Sequence, residues 1–399
     1  MMTTLSDMNE VWGNSDLALA RRARVFSDPT APDAILCFDP ANVAYLSGYA
    51  SMSSDMNPAY RIGVLATADS ARLIVSAGDG PAALECICDP SMLFRYGEFH
   101  VVTAGQNRLG AARPAVADFG AAVRDALDSW DPGRQRRIGI EGETSDLVDG
   151  RSCFDARPLL RRSRLVKLPH EIAIIRYCLS LMQRGIEAAL DAAAPGVNER
   201  DLAALVSAEI TRGGGVPRSI AVTSGPRAAN VDAFASGRRL AIGDVLRIDL
   251  GATFRGYWGD MARSAFIGLP SSEQEQCFAA ISAGVEAERQ VIRAGITASE
   301  VFAAAIAATR DAGLPQFARH HVGHGLGLNI TEAPLLALGD HTVLQSGMVL
   351  CIETPLYRET WGGMMTEDVV VVTENGNTPL TDLSRDLRTC GGVPCSSIA

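Results

Sequence analysis

An aspartate stands in the middle of a run of large aliphatic residues. Val245-Leu246-Arg247-Ile248-Asp249-Leu250-Gly251-Ala252 reads as a buried strand, with Asp249 inside it. A carboxylate taken out of water there is costly unless it is hydrogen-bonded, paired or bound to a metal. Any fold for this chain must therefore bring partners to Asp249. A turn containing Gly256 follows, and Asp260 then opens a second strand, Met261 to Ile267. Paired as a hairpin, the two strands place both carboxylates near one point. Backbone amides around Asp249, with Asp260 as a plain turn residue, satisfy the same pattern.

Other titratable residues recur in similar settings. Arg319-His320-His321-Val322-Gly323-His324-Gly325-Leu326-Gly327-Leu328 holds three of the six histidines of the chain. Its alternate glycines let the backbone run close to a ligand or another strand. Gly323-x-Gly325-x-Gly327 lacks the spacing of a dinucleotide loop, and no helix start follows it. Glu353 ends the buried strand from Met348, and Glu367 opens another, Asp368 to Thr373. Each alone fits a solvated strand end. Together, four carboxylates and one imidazole on or beside core strands suit two divalent ions such as Mn²⁺, Co²⁺, Fe²⁺ or Zn²⁺. Such a pair lowers the pKa of water and clamps the attacked group, which is hydrolytic chemistry.

A chain of 399 residues is long enough for two domains. The N-terminal part alternates strand and helix: Ala34 to Phe38, Asn42 to Tyr49, Arg61 to Ala66, Ala71 to Ser76, His100 to Thr103, an amphipathic helix from Pro114 to Trp130, and Arg137 to Glu141. The basic run Arg157 to Lys167 reads as a junction. The expected domains are 1–160 and 161–399, both α/β. The second opens with helices over His170 to Ala194 and from Asn198. Its strands are followed by helices over Ser272 to Ala294 and Ser299 to Ala312.

The 36 basic and 46 acidic side chains leave a net charge of −10, which disfavours nucleic acid and anionic membranes as partners. No apolar run approaches the ~18 residues of a membrane helix, and the polar first residues lack the pattern of a secretory signal. The nine cysteines are expected to be reduced and structural, in a cytoplasmic protein.

The motifs Asp-x-Gly-x4-Gly-Tyr-x2-Asp-x2-Arg (Asp249 to Arg263), His-x3-His-Gly-x-Gly (His320 to Gly327) and Gly-Met-Val-x3-Glu (Gly347 to Glu353), followed by Glu367-Asp368, resemble the pita-bread superfamily of creatinase, aminopeptidase P, prolidase and methionine aminopeptidase. Asn42 to Tyr49 resembles the creatinase N-terminal motif, and Lys167 to Ile172 the entry into the catalytic domain. The resemblance implies a creatinase-like domain followed by a pita-bread catalytic domain. It also implies a dinuclear metal site on Asp249, Asp260, His324, Glu353 and Glu367. It further gives Glu353 the handling of the attacking water's proton, and His320 a substrate contact. It implies a homodimer as well, in which the segment Ser51 to Tyr60 would reach toward the other chain.

Two departures bear on substrate. Thr331 stands where the peptidases of this superfamily carry a histidine, and Asn230 or Asp232 stands near a second missing one. Asp232, Thr331, Arg61 and Arg227 are the candidate substrate contacts. The expected activity is hydrolysis of a C–N bond, Xaa-Pro peptidase-like, on a short peptide. The alternative is a lyase, or an amide or ring-opening hydrolase, acting on a small non-peptide substrate and resembling dimethylsulfoniopropionate lyase or ectoine hydrolase. A silent binding module of the same fold is disfavoured, because clustered carboxylates without metal repel one another. The altered positions favour weak turnover of ordinary Xaa-Pro dipeptides and better turnover of a small polar substrate.

Overall fold

The structure, a computed structural model, describes residues 14–100, 108–142, 147–148 and 150–391. It divides into two compact units, Met1–Arg164 and Leu165–Ala399. The first contains α1 (Asn14–Phe26), β1 (Ala34–Cys37), α2 (Pro40–Ser47), α3 (Met52–Met56), β2 (Gly63–Ala66), β3 (Ala71–Ser76), α4 (Gly80–Cys86), β4 (Leu93–Tyr96), α5 (Arg108–Ala111), α6 (Phe119–Trp130), β5 (Ile138–Ile140), β6 (Cys153–Asp155) and α7 (Arg157–Leu165). Its six strands form one mixed sheet in the order β4-β3-β2-β1-β5-β6. The apolar face of α6, with Phe119, Val123, Leu127 and Trp130, closes a core against Leu36, Leu65 and Ile74.

Two sequence expectations change here. The helix expected from Pro114 starts at Phe119, because Asp118 caps it through Ala121 N at 2.8 Å. Val116 instead pairs with the end of β4, exchanging backbone hydrogen bonds with Arg95 and Gly97. The basic run forms helix α7, anchored by buried Leu159 and Leu160, and the boundary between the two units, after Arg164, falls within it. The segment Ser51 to Tyr60 contains helix α3, tied down by Ser51 and Ser53 hydroxyls donating to Asp79 and exposing Met52 and Met56. Of the strand expected at His100 to Thr103, all but His100 lies outside the described residues.

The second unit contains α8 (Pro169–Ala192), α9 (Glu199–Arg212), β7 (Val216–Ser224), β8 (Val245–Phe254), β9 (Tyr257–Ile267), α10 (Ser272–Val291), α11 (Ala298–Asp311), β10 (Gly323–Gly325), β11 (Glu332–Leu335), β12 (Val349–Glu353), β13 (Leu356–Arg358), β14 (Gly362–Met364), β15 (Glu367–Thr373), β16 (Gly376–Pro379) and β17 (Arg388–Cys390). Nine strands make one sheet along the path β11-β10-β12-β15-β9-β8-β7, with β16 on β15 and β17 on β9. The β8–β9 hairpin turns on two residues, Arg255 and Gly256, both at positive φ (50° and 81°), the conformation a two-residue hairpin loop requires.

Alternation along the strands separates two faces. Leu350, Ile352, Val370 and Val372 share a core with Phe278, Ile281 and Val285 of α10 and Val301 of α11. Gly259 lies against Met182 and Cys178 of α8, where a Cβ would come within 2.7 Å of the Met182 sulfur. Cys351, Glu353 and Glu367 alternate with those core residues, and Asp260 and Ala262 flank Gly259 and Met261. One face is thus covered by helices, and the acidic residues project from the other.

Candidate metal centre

The sheet register assembles the acids. Asp249 pairs with Ala262, Ala262 with Glu367, and Glu367 with Glu353, so one row crosses four strands. Two residues along, Asp260 pairs with Gly251, and His324 pairs with Cys351. The small side chains of Ala262 and Gly251 leave room between the carboxylates. Ligand atoms of Asp260, His324, Cys351 and Glu367 all lie within 4.8 Å of one another, and all four residues are buried.

The glycines beside His324 serve this packing. A Cβ on Gly323, at φ 148°, would lie 2.1 Å from the Cys351 carbonyl oxygen, and one on Gly325 would lie 2.3 Å from that of Ala333. Both neighbours of β10 press on its backbone, as expected for glycines in a crowded strand. His324 Nδ1 lies 3.0 Å from the Gly325 carbonyl oxygen and must donate to it, because a carbonyl only accepts. That leaves the Nε2 lone pair facing Asp260, at 3.6 Å, which is the tautomer a metal-binding imidazole needs.

The electrostatics suit a cation site. Burial pushes the carboxyl pKa values of Asp260 and Glu367 well above the ordinary range, and neighbouring carboxylates add to the shift. Asp249 is raised by burial and Asp232, against the pull of Arg247. Glu353 is pushed up to about 7, chiefly by burial. His324 is lowered by burial, so its imidazole is held neutral. One carboxylate oxygen of Glu367, Oε2, is buried with no hydrogen-bond partner. A buried acceptor of this kind among three further carboxylates and a ligand-ready imidazole fits a divalent cation.

Of the sequence-derived candidates, Asp249, Asp260, His324, Glu353 and Glu367 converge. The others lie differently. His320 is exposed, and its neighbour His321 approaches the centre instead, with Nδ1 3.4 Å from Glu353 Oε1. Burial and the adjacent His320 and Arg319 lower His321 to about 4. Arg227 donates to Glu199 at 2.7 Å and to the Phe234 carbonyl. Arg61, in the first unit, stacks on Phe119 at 4.2 Å. Thr331 is exposed just before β11, and the adjacent Glu332 pairs with Lys167 at 3.1 Å. Asp232 is exposed.

Two residues at the centre were not singled out from the sequence. Arg247, fully buried, donates to Asp249 Oδ2 at 2.9 Å and to the carbonyls of Asn230 and Val231. The Cys351 thiol donates to Glu367 Oε1 at 2.8 Å. Each stands two residues before a carboxylate on the same strand and so shares its face. That spacing was the available signal. The eight cysteines among the described residues are free, as expected, but Cys351 belongs to the site.

Residues 173–374 match the model of metallopeptidase family M24. An Xaa-Pro dipeptidase of Pyrococcus horikoshii is 28% identical over 368 residues, covering 91% of this chain and 96% of the relative. A probable dipeptidase PepE of Mycobacterium bovis is 34% identical over 291 residues, 68% of this chain and 78% of the relative. The crystal structure of the Pyrococcus horikoshii prolidase superposes with a TM-score of 0.72 at 26% identity, covering 93% of this chain and 99% of that one.

Proposed function

Because the chain belongs to metallopeptidase family M24, a family of metal-dependent hydrolases of pita-bread fold, we propose that it cleaves the amide bond of short peptides of the Xaa-Pro type with two divalent ions. The observation that carries this is the row of carboxylates across four strands with a ligand-ready His324 beside it. Asp249, Asp260, His324, Glu353 and Glu367 would hold the ions, drawn from Mn²⁺, Co²⁺, Fe²⁺ or Zn²⁺. When bound, such ions polarise the scissile carbonyl and lower the pKa of water.

The chain's own groups do the rest. Glu353, with a pKa near 7, can take a proton from attacking water and return it to the leaving nitrogen. His321 faces Glu353 Oε1 through Nδ1, which already accepts from Gly323 N–H. So engaged, Nδ1 has no proton to donate to Glu353, whose carboxylate stays free to take one. Arg247 fixes Asp249 and ties it to the Asn230–Val231 backbone.

Protein reconstituted with manganese should cleave Xaa-Pro dipeptides, and a kcat/KM above about 10⁴ M⁻¹s⁻¹ would overturn the expectation of weak turnover and make the histidines missing at Thr331 and at Asn230 or Asp232 dispensable. Asp260→Ala should lower kcat/KM by at least about two orders of magnitude, with the circular dichroism spectrum unchanged. Activity that survives EDTA, in protein free of metal by elemental analysis, would sink the proposal. A second reading, a small non-peptide amide as substrate, is favoured by Thr331, where the peptidases have a histidine, and by Asn230 or Asp232 near the second missing one, all three exposed. Turnover of N-acyl amides but not dipeptides decides for it.

A further inference from the structure

The arginines of the second unit are nearly all spoken for. Arg247 lies on Asp249, Arg263 on Asp368, Arg227 on Glu199 and Arg358 on Glu273. Arg319 differs. Among the described residues it makes no hydrogen bond and no ion pair, and its Nε is buried without a partner. Its guanidinium carbon lies 5.8 Å from the ring centre of Tyr357, the ring that Arg247 approaches at 5.4 Å. It directly precedes His320-His321, and its charge acts on Glu353. A half-buried guanidinium, its Nε without a partner, thus stands beside the reacting centre with donors to offer a ligand.

Arg319 also lines a cavity of about 380 Å³. The wall runs along Leu314, Pro315, Gln316 and Phe317, and returns through Pro355, Leu356, Tyr357 and Arg358, the last already paired with Glu273. Pro355 is two residues from Glu353, so the cavity starts where the candidate centre ends. It combines a largely apolar wall with one cation not already paired, the usual make-up of a small-ligand pocket with one orienting charge. A guanidinium pairs best with a carboxylate, through parallel N–H···O bonds.

We propose that Arg319 and this cavity bind a substrate carboxylate carried on a small apolar body, and so set the specificity of the centre. The inference rests on the hydrolase reading above and names its substrate class. Arg61 and Arg227, the cations first considered from the sequence, are occupied by Phe119 and Glu199, which leaves the role to Arg319.

The test separates the two ideas. Calorimetry of the manganese-loaded protein uses cyclopentanecarboxylate and cyclopentanecarboxamide, alike in shape and different in charge. The wild type should prefer the acid by at least about tenfold, the scale of a charge-assisted hydrogen-bonded pair. Arg319→Gln should erase the preference, Arg319→Lys should restore part of it, and Arg212→Gln, at an exposed arginine paired with Glu209 and outside the cavity, should leave it intact. With Gly-Pro as substrate, Arg319→Gln should raise KM more than it lowers kcat. A wild type without acid preference, or an Arg319→Gln protein that keeps both its metal and the preference, overturns the proposal. An Arg319-dependent preference in a protein that cleaves no dipeptide sinks the peptidase reading and leaves the carboxylate site standing.

Discussion

Cys351 and Glu288 are both buried and both polar, yet they answer to different demands. Cys351 donates its S–H to Glu367, so it orients a carboxylate that would otherwise turn freely. Cys351→Ala should weaken metal binding by about 10- to 100-fold, and Cys351→Ser, which keeps a donor, should recover most of it. Competition with a chromogenic chelator measures both. Cobalt-loaded wild type should lack a thiolate charge-transfer band, because the sulfur keeps its proton. Glu288, on α10, has no exposed surface, and neither carboxylate oxygen has a hydrogen-bond partner. Burial, aided by Glu353, pushes its pKa well above 4.5. The unfolded chain ionises from about 4.5 upward while the folded chain keeps the proton, so the penalty grows as pH rises. Glu288→Met should stabilise the protein by roughly 1–3 kcal/mol at pH 8 and by less at pH 4.5. Equal gains at both pH values would show that the carboxyl finds a partner.

At the scale of elements, the legible parts were those where period and punctuation agree. The β8–β9 hairpin was readable because two apolar strands flank a glycine turn, and its register then joined Asp249 and Asp260 to one site. The starts of α9 and α10 followed their caps, Asn198 and Ser271. The short strands β4, β6, β10, β11, β13, β14, β16 and β17 went unread, since three- and four-residue segments carry too little alternation. Pro114 to Asp118 looked helical until a tertiary partner, the end of β4, took its backbone. The approach of His321 rather than His320 depends on the path of the loop into β10, which spacing alone does not encode. That loop is held by contacts that spare glycine. Gly323→Ala places a methyl against the Cys351 carbonyl and demands a φ that alanine resists. It should cost several kcal/mol in a denaturant titration, on the scale of overpacking plus backbone strain. Metal affinity should fall with it, since β10 carries His324. Gly376→Ala, with open space around its Cβ position, should do neither.

Over the whole molecule, each unit has a core of its own, so heating should give two transitions rather than one. All the carboxylates of the metal centre belong to the second unit, and its transition alone should respond to metal and pH. In metal-free protein, Asp249, Asp260 and Glu367 have raised pKa values, and Glu353 titrates near 7. The folded state therefore binds more protons than the unfolded state above about pH 4.5, and stability falls as pH rises from there through 7. His324 and His321, both lowered, act in the opposite sense below about 6.5, where the unfolded chain takes up protons that the folded chain refuses. Four carboxyls outweigh two imidazoles, so the net slope from pH 5 to 8 should be downward. A divalent ion reverses it. Metal displaces the protons that the centre holds, and its affinity, with the stabilisation that follows, increases with pH. Calorimetric scans at pH 5 to 8 should show the second transition moving down with pH in EDTA and holding or rising with manganese, while the first stays in place. Parallel curves with and without metal would mean that the carboxylates of the row do not bind the ion.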